Sequence, residues 1–541
     1  MQIVYESRNK INTKTNAALL VEKLAKLGCD TVFGYPGAAV LSVYNELSKT
    51  KKIKHVLVRH EQAALHAAEG YARTSGKAGV VLVTSGPGFT NTITGIANAY
   101  ADSTPLVVLV GDVSKKGKYG KTFQDIDILS MTKTCSKKGF LITKDDDIAL
   151  VLEKAFIEAN SGVKGPVVIA MPRNVLESQG VQKRENAETE IELKLPPKAD
   201  MNKFIELLQN AERPLILLGG GVVDASSEIT DFVSKYKIPA VSTLMGVGVC
   251  PTDNSNYLGM IGMNGSFIAN SVLNHADLIV ALGVSFSDRS TCKNSDFAKK
   301  SKIININLKK LSDDFELEIQ TDAKLFINSI KNYDIKLKDI AKWLNDIDIL
   351  RSENVVSETA SDRMHSSYVL ETLSKLTKDY EPIVVTDVGQ HQMLTAQYFK
   401  FNKPRRFITS GGLGTMGYGL PASIGAYIAN KNNLVLNITG DGSFQMNLQE
   451  LATCREHNIP IKIIIMNNGY LGMVRQLQEK IYKNTYQVEM TNPDFTKIAE
   501  AYDLFAIRIE KKEELVSKLR IALEHQGTAI VDIMIDSFEE V

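Results

Sequence analysis

Two mostly apolar runs, residues 434–438 and 461–466, constrain the fold of this chain more than any other stretch. Each has the length and composition of a strand buried in a parallel sheet. The first is followed by the triplet GDG at residues 440–442, which we interpret as a sharp turn, and the second by Asn467 and Asn468. A helix-like segment separates them. We therefore predict an α/β fold in which both polar ends meet at the carboxyl edge of one sheet.

The polar groups at this edge suit a divalent cation that holds a phosphorylated ligand. Mg²⁺ takes hard oxygen ligands in an octahedron and commonly shares them with phosphate and water. The Asp441 carboxylate, the Asn468 amide and the backbone carbonyl of Tyr470 would supply three such oxygens. Gly440 and Gly442 would let the backbone approach an anion closely. An isolated GDG is more often only a strand-to-helix turn, but its spacing from the asparagine pair favours a cofactor site.

The chain as a whole has the composition of an ordinary globular protein. Its 541 residues, of which 44% are apolar and 23% charged, suffice for about three domains. The net charge of +1 gives no electrostatic reason to expect nucleic acid or an anionic membrane as a partner. The sequence has no apolar run that predicts a transmembrane helix or a signal peptide. Five scattered cysteines show neither metal spacing nor a disulfide framework, so we expect a cytoplasmic protein.

Short apolar strands alternate with helical segments along three parts of the chain, as they do in doubly wound sheets. We expect three parallel-sheet domains, at residues 1–181, 199–335 and 364–541. A polar linker, residues 182–198, separates the first two, and a charged helical segment, residues 333–362, joins the last two. Because the outer two domains share their pattern, we expect them to have similar folds.

The GDG and NN motifs also carry a family resemblance. The segments GDGSFQMNLQELAT and NNGYLGMVRQ resemble those of the thiamine-diphosphate (ThDP) enzymes, in particular the acetolactate (acetohydroxyacid) synthase large subunits. The resemblance covers nearly all of the chain. It implies ThDP and Mg²⁺ as cofactors and a carboligase that decarboxylates pyruvate and adds the two-carbon unit to a second 2-keto acid. With pyruvate as acceptor the product is acetolactate, an intermediate of branched-chain amino-acid biosynthesis.

The resemblance assigns catalytic roles to four residues. Glu61, in the segment RHEQAALHAAEGYAR, matches a glutamate that hydrogen-bonds the aminopyrimidine ring of ThDP and promotes the tautomer that takes up the C2 proton. Met416, in SGGLGTMGYGLP, matches a bulky residue that holds the two cofactor rings in a V. Phe123 and Gln124 match a pair that lines the substrate channel of the neighbouring subunit. On residue type alone, Glu61 is more often a simple helix N-terminal charge, and Met416 a space-filling core residue.

Glycine- and proline-rich turns match the segments that bind ThDP in this family. Most of them follow predicted strands, where a backbone can pass close to a ligand. On residue type alone, His391 could instead be a satisfied surface histidine. The resemblance predicts ThDP contacts from Pro36, Gly37, Pro87, Asn91, Gly389, Gln390, His391, Gly414, Met416, Gly442, Ser443, Tyr470, Leu471, Gly472 and Met473, and a metal site from Asp441, Asn468 and Tyr470.

Four segments of the middle domain resemble the FAD-binding segments of acetolactate synthases. FAD is therefore expected, in a structural role, because the reaction has no net redox change. Two positions depart from the family, since Ser285 replaces an arginine and Asn307 a usual acidic residue, so we expect weakened contacts. The predicted FAD contacts are Gly219, Gly220, Gly221, Thr243, Leu244, Met245, Gly283, Ser285, Asp288 and Arg289.

Further departures concern the acceptor. Leu477 occupies the position of a tryptophan that faces the acceptor in the family, and the run around Lys121 is one residue shorter. The family also usually continues beyond the position of Val541 into an arm that closes over the active site. These departures leave open a related enzyme that uses another acceptor, such as a nucleotide-linked keto-sugar, and also a non-catalytic binding paralogue. The family implies a homodimer or tetramer and a small regulatory subunit.

Overall fold

The structure, a computed structural model, describes residues 10–114, 122–182, 194–291, 297–353 and 364–541. Within these residues the chain forms three six-stranded parallel sheets with helices packed on their faces. The predicted α/β fold class, three doubly wound parallel-sheet domains, is therefore confirmed. None of the described helices is long and apolar enough to cross a membrane.

The first sheet lies in the N-terminal third of the chain. Its elements are β1 (Lys10–Thr15), α1 (Asn16–Lys26), β2 (Thr31–Gly34), α2 (Leu41–Leu47), β3 (Lys54–Leu57), α3 (Glu61–Ser75), β4 (Gly79–Val83), α4 (Pro87–Thr90), α5 (Ile93–Ala101), β5 (Leu106–Asp112), α6 (Ile128–Thr132), β6 (Lys138–Leu141), α7 (Ile148–Asn160), β7 (Pro166–Pro172), α8 (Arg173–Leu176) and β8 (Gln179–Gln182). The parallel sheet has the order β3-β2-β4-β5-β7-β6, and β1 pairs antiparallel with β8.

The second sheet forms the central domain. Its elements are α9 (Lys198–Asn210), β9 (Pro214–Leu218), α10 (Ser226–Tyr236), β10 (Ala240–Ser242), β11 (Tyr257–Met260), α11 (Phe267–His275), β12 (Leu278–Leu282), α12 (Asp288–Thr291), β13 (Lys302–Asn307), β14 (Leu317–Gln320), α13 (Ala323–Ile330) and α14 (Ala341–Glu353). Its order, β11-β10-β9-β12-β13-β14, is that of the Rossmann fold, which binds dinucleotides where the order reverses.

The third sheet forms the C-terminal domain. Its elements are α15 (Ser366–Thr377), β15 (Ile383–Thr386), α16 (Gln390–Tyr398), β16 (Phe407–Ile408), α17 (Gly419–Ala429), β17 (Val435–Gly440), α18 (Asp441–Gln445), α19 (Leu451–His457), β18 (Lys462–Asn467), α20 (Gly472–Tyr482), α21 (Phe495–Ala501), β19 (Phe505–Ile509), α22 (Leu515–Glu524) and β20 (Ala529–Met534). The sheet has the order β16-β15-β17-β18-β20-β19.

The two outer sheets have the same strand order when each is counted from its first parallel strand. In both sheets the order changes direction between the first and third strands, β2 and β4 in one and β15 and β17 in the other. Such switch points leave a crevice outside the carboxyl ends of the strands, where α/β proteins bind ligands. The expected likeness of the outer domains is therefore present in their topology, and each offers one binding position.

The triplet GDG is not the sharp turn that we expected. Gly440 is the last residue of β17, and Asp441 is the first residue of α18. Gly440 keeps an extended backbone, with φ −85° and ψ 157°, so the strand passes directly into the helix. This continuity places the Asp441 carboxylate at a helix N-terminus, where backbone N–H groups favour negative charge.

The outer domains share one hydrophobic core, in which α3 packs against α17. The two helices approach at glycines, because a Cβ at Gly70 would lie 1.9 Å from the Ala422 carbonyl oxygen and one at Gly425 would lie 1.7 Å from that of Ala67. No side chain fits at either position. The contact holds the helix that begins with Glu61 against the C-terminal domain.

The segments between the domains are described only in part. Most of the predicted linker, residues 183–193, lies outside the described residues. The charged segment before the C-terminal domain contains α14, as expected, but residues 354–363 are likewise not described. The domain limits 1–181, 199–335 and 364–541 remain a prediction.

Candidate active site

A cleft opens at the carboxyl end of the C-terminal sheet. It lies beside the ends of β15 and β17, at the switch point of that sheet. We call its lining the C-terminal half-site. The predicted site residues that line it are Gly389, Gln390, His391, Met416, Asp441, Gly442, Ser443, Asn468, Tyr470, Leu471, Gly472 and Met473.

Asp441 is the buried carboxylate of this half-site. Its oxygens accept hydrogen bonds from the Gly469 backbone N–H at 2.8 Å, the Gly442 backbone N–H at 3.1 Å and the Asn492 side-chain amide at 2.6 Å. Burial nevertheless raises the pKa of Asp441 to about 6. A bound cation would offset the cost of burying this charge, so the position suits a metal ligand.

The other two predicted metal ligands lie on the same short loop. The Asn468 side-chain oxygen accepts a 2.9 Å hydrogen bond from the Tyr470 backbone N–H, and the Ser537 hydroxyl donates to the Asn468 carbonyl at 2.8 Å. The described residues contain no group of three or more His, Cys, Asp or Glu side chains that could hold a metal. A donor set with one carboxylate suits Mg²⁺, which completes its octahedron with phosphate and water oxygens.

His391 is buried, so the interpretation of a satisfied surface histidine is wrong. Burial lowers its pKa to about 3, which keeps the ring neutral. The ring lies against glycines, since a Cβ at Gly389 would come within 2.9 Å of its Cε1 and one at Gly440 within 2.9 Å of its Nδ1. Among the described residues the buried Nε2 atom has no hydrogen-bond partner. A phosphate oxygen in the cleft would supply the missing partner.

Gln390 connects the cleft to the C-terminal segment. Its side-chain nitrogen donates to the Glu539 carbonyl at 2.8 Å, and its oxygen accepts from the Asn468 amide at 3.4 Å. A Cβ at Gly472 would lie only 1.9 Å from that oxygen, so a larger residue there would displace the Gln390 amide. The Ser443 hydroxyl donates to the Val388 carbonyl at 2.9 Å and therefore braces two cleft loops.

Met416 lies half-buried on the loop between β16 and α17 and reaches the cleft. Gly414 and Gly417 on either side have positive φ angles of 73° and 86°, which favour glycine. Met416 is therefore not simply a core residue that fills space. Gly414 itself is exposed and does not line the cleft.

Apart from Gly414, the remaining predicted ThDP and catalytic residues lie in the N-terminal domain, in a second group that we call the N-terminal half-site. Glu61 is half-buried at the first position of α3, and the Asn91 amide donates to its Oε2 at 2.9 Å. A Cβ at Gly88 would lie 3.3 Å from Glu61 Oε1, so the SGPG turn leaves room beside the carboxylate. Pro36 and Gly37 follow β2, and Pro87 follows β4, on the two sides of the switch point of this sheet. Both prolines are exposed.

Gln124 lies beside the same turn in a strained conformation, with φ 63°. The Ser85 hydroxyl donates to its side-chain oxygen at 3.2 Å, and a Cβ at Gly86 would lie 2.6 Å from its Cβ. The preceding Phe123 is 84% exposed, an unusual state for a phenylalanine ring. The shortened run continues through residues 119–121, which lie outside the described residues.

The predicted catalytic residues fall into two groups on different domains of the chain. None of the N-terminal half-site residues lines the cleft that holds Met416 and Asp441. The two groups lie on different sheets, whose domains pack together through α3 and α17.

The predicted FAD residues surround the carboxyl ends of neighbouring central strands. Gly219, Gly220 and Gly221 follow β9 and Gly283 follows β12, on the two sides of the switch point. A Cβ at Gly219 would lie 2.0 Å from the Gly283 carbonyl oxygen, so the two turns pack backbone against backbone. Ser285, Asp288 and Arg289 follow β12 and are exposed at this end, while Thr243, Leu244 and Met245 follow β10. The glycine contacts fit the close turns of a dinucleotide crevice.

Met245 is also placed at a junction of all three domains. The Arg73 guanidinium lies 3.9 Å from its sulfur, and a Cβ at Gly411 would lie 2.3 Å from that sulfur. Leu244 packs against the hydrophobic core of the C-terminal domain. These two residues therefore connect the central domain to the loop that carries Met416.

Two polar residues that support the site are not among the predicted site residues. Asp387, directly after β15, accepts hydrogen bonds from the loop that carries Met416. Asn492 bridges Asp441 and Asn467, at 2.6 and 3.0 Å. The position of Asp387 directly after an apolar strand could have indicated a site residue. Asn492 lies in an irregular segment, where the sequence gives no such indication.

Three family models match the chain. They are the N-terminal TPP binding domain of thiamine pyrophosphate enzymes at residues 14–131, the central domain at 201–330 and the C-terminal TPP binding domain at 387–533. The acetolactate synthase large subunit of Buchnera aphidicola subsp. Acyrthosiphon pisum (strain APS) is 39% identical over 552 residues, or 97% of this chain and 96% of the relative. The chain belongs to the acetolactate synthase family.

Other members of the acetolactate synthase family are similarly related. The isozyme 3 large subunit of Escherichia coli (strain K12) is 39% identical over 550 residues, 97% of this chain and 96% of the relative. The chloroplastic acetolactate synthase of Arabidopsis thaliana is 36% identical over 560 residues, 98% of this chain and 82% of the relative. The chain is thus a ThDP-dependent enzyme of the class that transfers aldehyde or ketone residues.

Proposed function

We propose that the protein forms acetolactate from two molecules of pyruvate, for branched-chain amino-acid biosynthesis. The observation that carries this proposal is the cleft in which Asp441, Asn468, His391 and Met416 converge, in a chain of this family. Bound ThDP supplies the carbon nucleophile that decarboxylation of pyruvate requires. The protein's own residues bind the cofactor, orient its rings and move one proton.

The C-terminal half-site would hold the diphosphate and Mg²⁺. Asp441, the Asn468 oxygen and the Tyr470 carbonyl would donate to the metal, in agreement with the single-carboxylate donor set. His391 would donate a hydrogen bond from Nε2 to a phosphate oxygen, since its low pKa keeps the ring neutral and that atom lacks another partner among the described residues. Gln390 would be held beside the phosphates by its bonds to Asn468 and Glu539.

The N-terminal half-site would meet the pyrimidine ring. Glu61 would accept a hydrogen bond from a ring nitrogen through the carboxylate that Asn91 orients, and so favour the tautomer that takes up a proton. The turn with Pro36 and Gly37, and the turn with Pro87, would flank this ring. Met416 would support the bend between the two rings from the other half-site.

A homodimer would bring the half-sites together across two chains, and two such dimers could form a tetramer. Glu61 does not line the cleft of its own chain, which supports this arrangement. The 84% exposure of Phe123 supports it as well, because burial against a partner would remove that ring from water. In a dimer, Phe123 and Gln124 would line the substrate channel beside the partner's cleft.

FAD would bind in the central crevice, with a structural role. The Rossmann strand order and the glycine contacts between the β9 and β12 turns support this proposal. Ser285 offers no positive charge to the diphosphate of FAD, so retention would be weaker than with an arginine. A test is to release the flavin from purified protein by denaturation and to compare its absorbance with the protein concentration.

The proposal includes a small regulatory subunit, on the precedent of relatives named as large subunits, and a cytoplasmic location, on the scattered cysteines of the sequence. The test of the proposed function uses the purified protein with ThDP, Mg²⁺, FAD and ¹³C-labelled pyruvate, and identifies the products by mass spectrometry. We expect labelled acetolactate as the main product. Release of labelled CO₂ with little acetolactate would contradict the proposal and favour another acceptor. The residue that motivates this alternative is Leu477, which is 40% exposed at the position where the family has a tryptophan.

A further inference from the structure

The loop that carries Met416 is rich in glycine and has few side chains that could hold its shape. It runs from β16 to α17 and contains Gly411, Gly412, Gly414 and Gly417. Glycine has the largest backbone entropy to lose on folding, so hydrogen bonds to buried groups outside such a loop help to order it. The position of the Met416 side chain therefore depends on the groups that anchor its neighbours.

One buried carboxylate anchors the loop directly after Met416. Asp387 is 1% exposed and follows β15 at the switch point of the C-terminal sheet. It accepts a 2.9 Å hydrogen bond from the Gly417 backbone N–H and a 2.8 Å bond from the Gly419 backbone N–H. The first of these N–H groups belongs to the peptide bond that leaves Met416. The Asp387 carboxylate thus holds the backbone one peptide away from the Met416 side chain.

The glycines are matched to this carboxylate. A Cβ at Gly419 would lie 3.0 Å from an Asp387 oxygen, so a larger residue would push the carboxylate away. The Gly417 carbonyl accepts a 2.7 Å hydrogen bond from the Asn447 amide, which holds the same residue from its other side. Gly417 is therefore held through both its N–H, in the peptide bond that leaves Met416, and its C=O, in the next peptide bond.

We propose that Asp387 is a positioning residue for Met416, which sets how far the Met416 side chain reaches into the cleft and hence how closely the cofactor rings are bent together. This inference rests on the proposed role of Met416. Asp387 itself does not line the cleft. Its effect on the cofactor is exerted through the loop, and it is not a catalytic residue.

The test is Asp387→Asn, which keeps the shape but turns one acceptor oxygen into a donor that faces a backbone N–H. The matched control is Asp147→Asn, because buried Asp147 also accepts two backbone N–H groups, from Ala149 at 3.0 Å and Leu150 at 3.2 Å, at the start of α7. Asn caps a helix as well as Asp does. Three properties are compared: ThDP affinity by calorimetry, C2 proton exchange of bound ThDP by acid-quench NMR, and amide exchange of residues 411–419 in the cofactor-free protein.

We expect Asp387→Asn to speed amide exchange in this loop and to slow C2 exchange by about 10- to 100-fold, the scale of an ångström-sized misplacement. ThDP affinity should change by less than about threefold, because the diphosphate ligands remain. The control Asp147→Asn should match the wild type in ThDP affinity, C2 exchange rate and amide exchange. An unchanged C2 exchange rate would overturn the inference, and so would a loss of ThDP affinity as large as the loss of exchange rate.

A double-mutant cycle separates this inference from the proposed role of Met416. If Asp387 acts through Met416, Asp387→Asn slows C2 exchange in the wild type but has no further effect in Met416→Ala. Equal effects in both backgrounds would overturn the inference. If Met416→Ala alone leaves C2 exchange unchanged, the proposed role of Met416 is wrong, and the inference is withdrawn with it.

Discussion

The Asn91 side-chain amide donates a 2.9 Å hydrogen bond to Oε2 of Glu61. This bond joins the residue that follows α4 to the first residue of α3, and so restricts the orientation of the carboxylate. The other oxygen, Oε1, faces Gly88, where the absence of a side chain leaves space. The orientation of the proposed proton-transfer group thus depends on a neutral neighbour that is remote in sequence.

Replacement of Asn91 by alanine should lower kcat more than it raises KM, because Glu61 then samples unproductive orientations. We expect a loss of about tenfold, smaller than the loss of about 10²–10⁴-fold for Glu61→Gln, which removes the acid–base group. The measurement is steady-state kinetics of acetolactate formation. Thr90→Ala is the matched control, since the exposed Thr90 hydroxyl donates only to the Pro87 carbonyl. Equal losses in Asn91→Ala and Thr90→Ala would contradict the orienting role.

Replacement of Asp441 by asparagine should weaken Mg²⁺ binding, because it removes the only carboxylate proposed for the metal. The Mg²⁺ affinity should fall by at least roughly 10- to 100-fold, which is the loss that substitution of outer-shell residues causes. Calorimetric titration of Mg²⁺ in the presence of ThDP measures it. The control is Asp503→Asn, because the Asp503 side chain is 81% exposed. The backbone φ of this residue is 54°, a conformation that asparagine adopts readily. Wild-type Mg²⁺ affinity in Asp441→Asn would rule out this metal site.

The α3–α17 contact should be intolerant of a single methyl group. Gly70→Ala would place its Cβ 1.9 Å from the Ala422 carbonyl oxygen, so the helices must separate. We expect a loss of unfolding free energy of at least about 1–3 kcal/mol, by overpacking, measured by urea denaturation. Gly165→Ala is the control, because its nearest neighbour would be a lysine side chain at 3.5 Å. Similar stabilities of the two variants would show that the helices can move apart at little cost.

Acid should destabilise the fold partly through His55 in β3. Burial lowers the pKa of His55 to about 4, below its value in the unfolded chain, and its Nε2 lies 2.9 Å from the Tyr44 hydroxyl. Between about pH 6.5 and 4 the unfolded chain therefore binds more protons, and stability falls as pH falls. His55→Gln should make this fall shallower. Urea denaturation at several pH values measures it, and parallel pH profiles for the two proteins would contradict the prediction.

Much of the fold could be predicted because buried parallel strands are nearly continuous apolar runs. Residues 434–438 and 461–466 fall largely within β17 and β18, and the positions after them carry Asp441 and Asn468. Short strands such as β16, with two residues, carry no such signal. The GDG triplet was misinterpreted as a turn because glycines allow one, whereas the extended Gly440 leads straight into α18.

The support of the site was less predictable than its ligands. Asp387 and Asn492 act through contacts that cross the fold, 30 and 51 residues from the groups that they hold. A local pattern records which residues stand at a strand end, but not which backbone N–H groups approach them. The burial of His391 could not be predicted for the same reason, since it depends on the close approach of Gly389 and Gly440 to the ring.

The most direct measurement uses mixed dimers of a Glu61→Gln chain and an Asp441→Asn chain, co-expressed with two affinity tags and purified through both. If each active site takes Glu61 from one chain and Asp441 from its partner, one of the two sites in the mixed dimer is intact. We then predict about half of the wild-type acetolactate-forming activity from a symmetric dimer, although each homodimer is nearly inactive. Inactive mixed dimers would contradict a site built across two chains, and would place Glu61 and Asp441 in one chain's site.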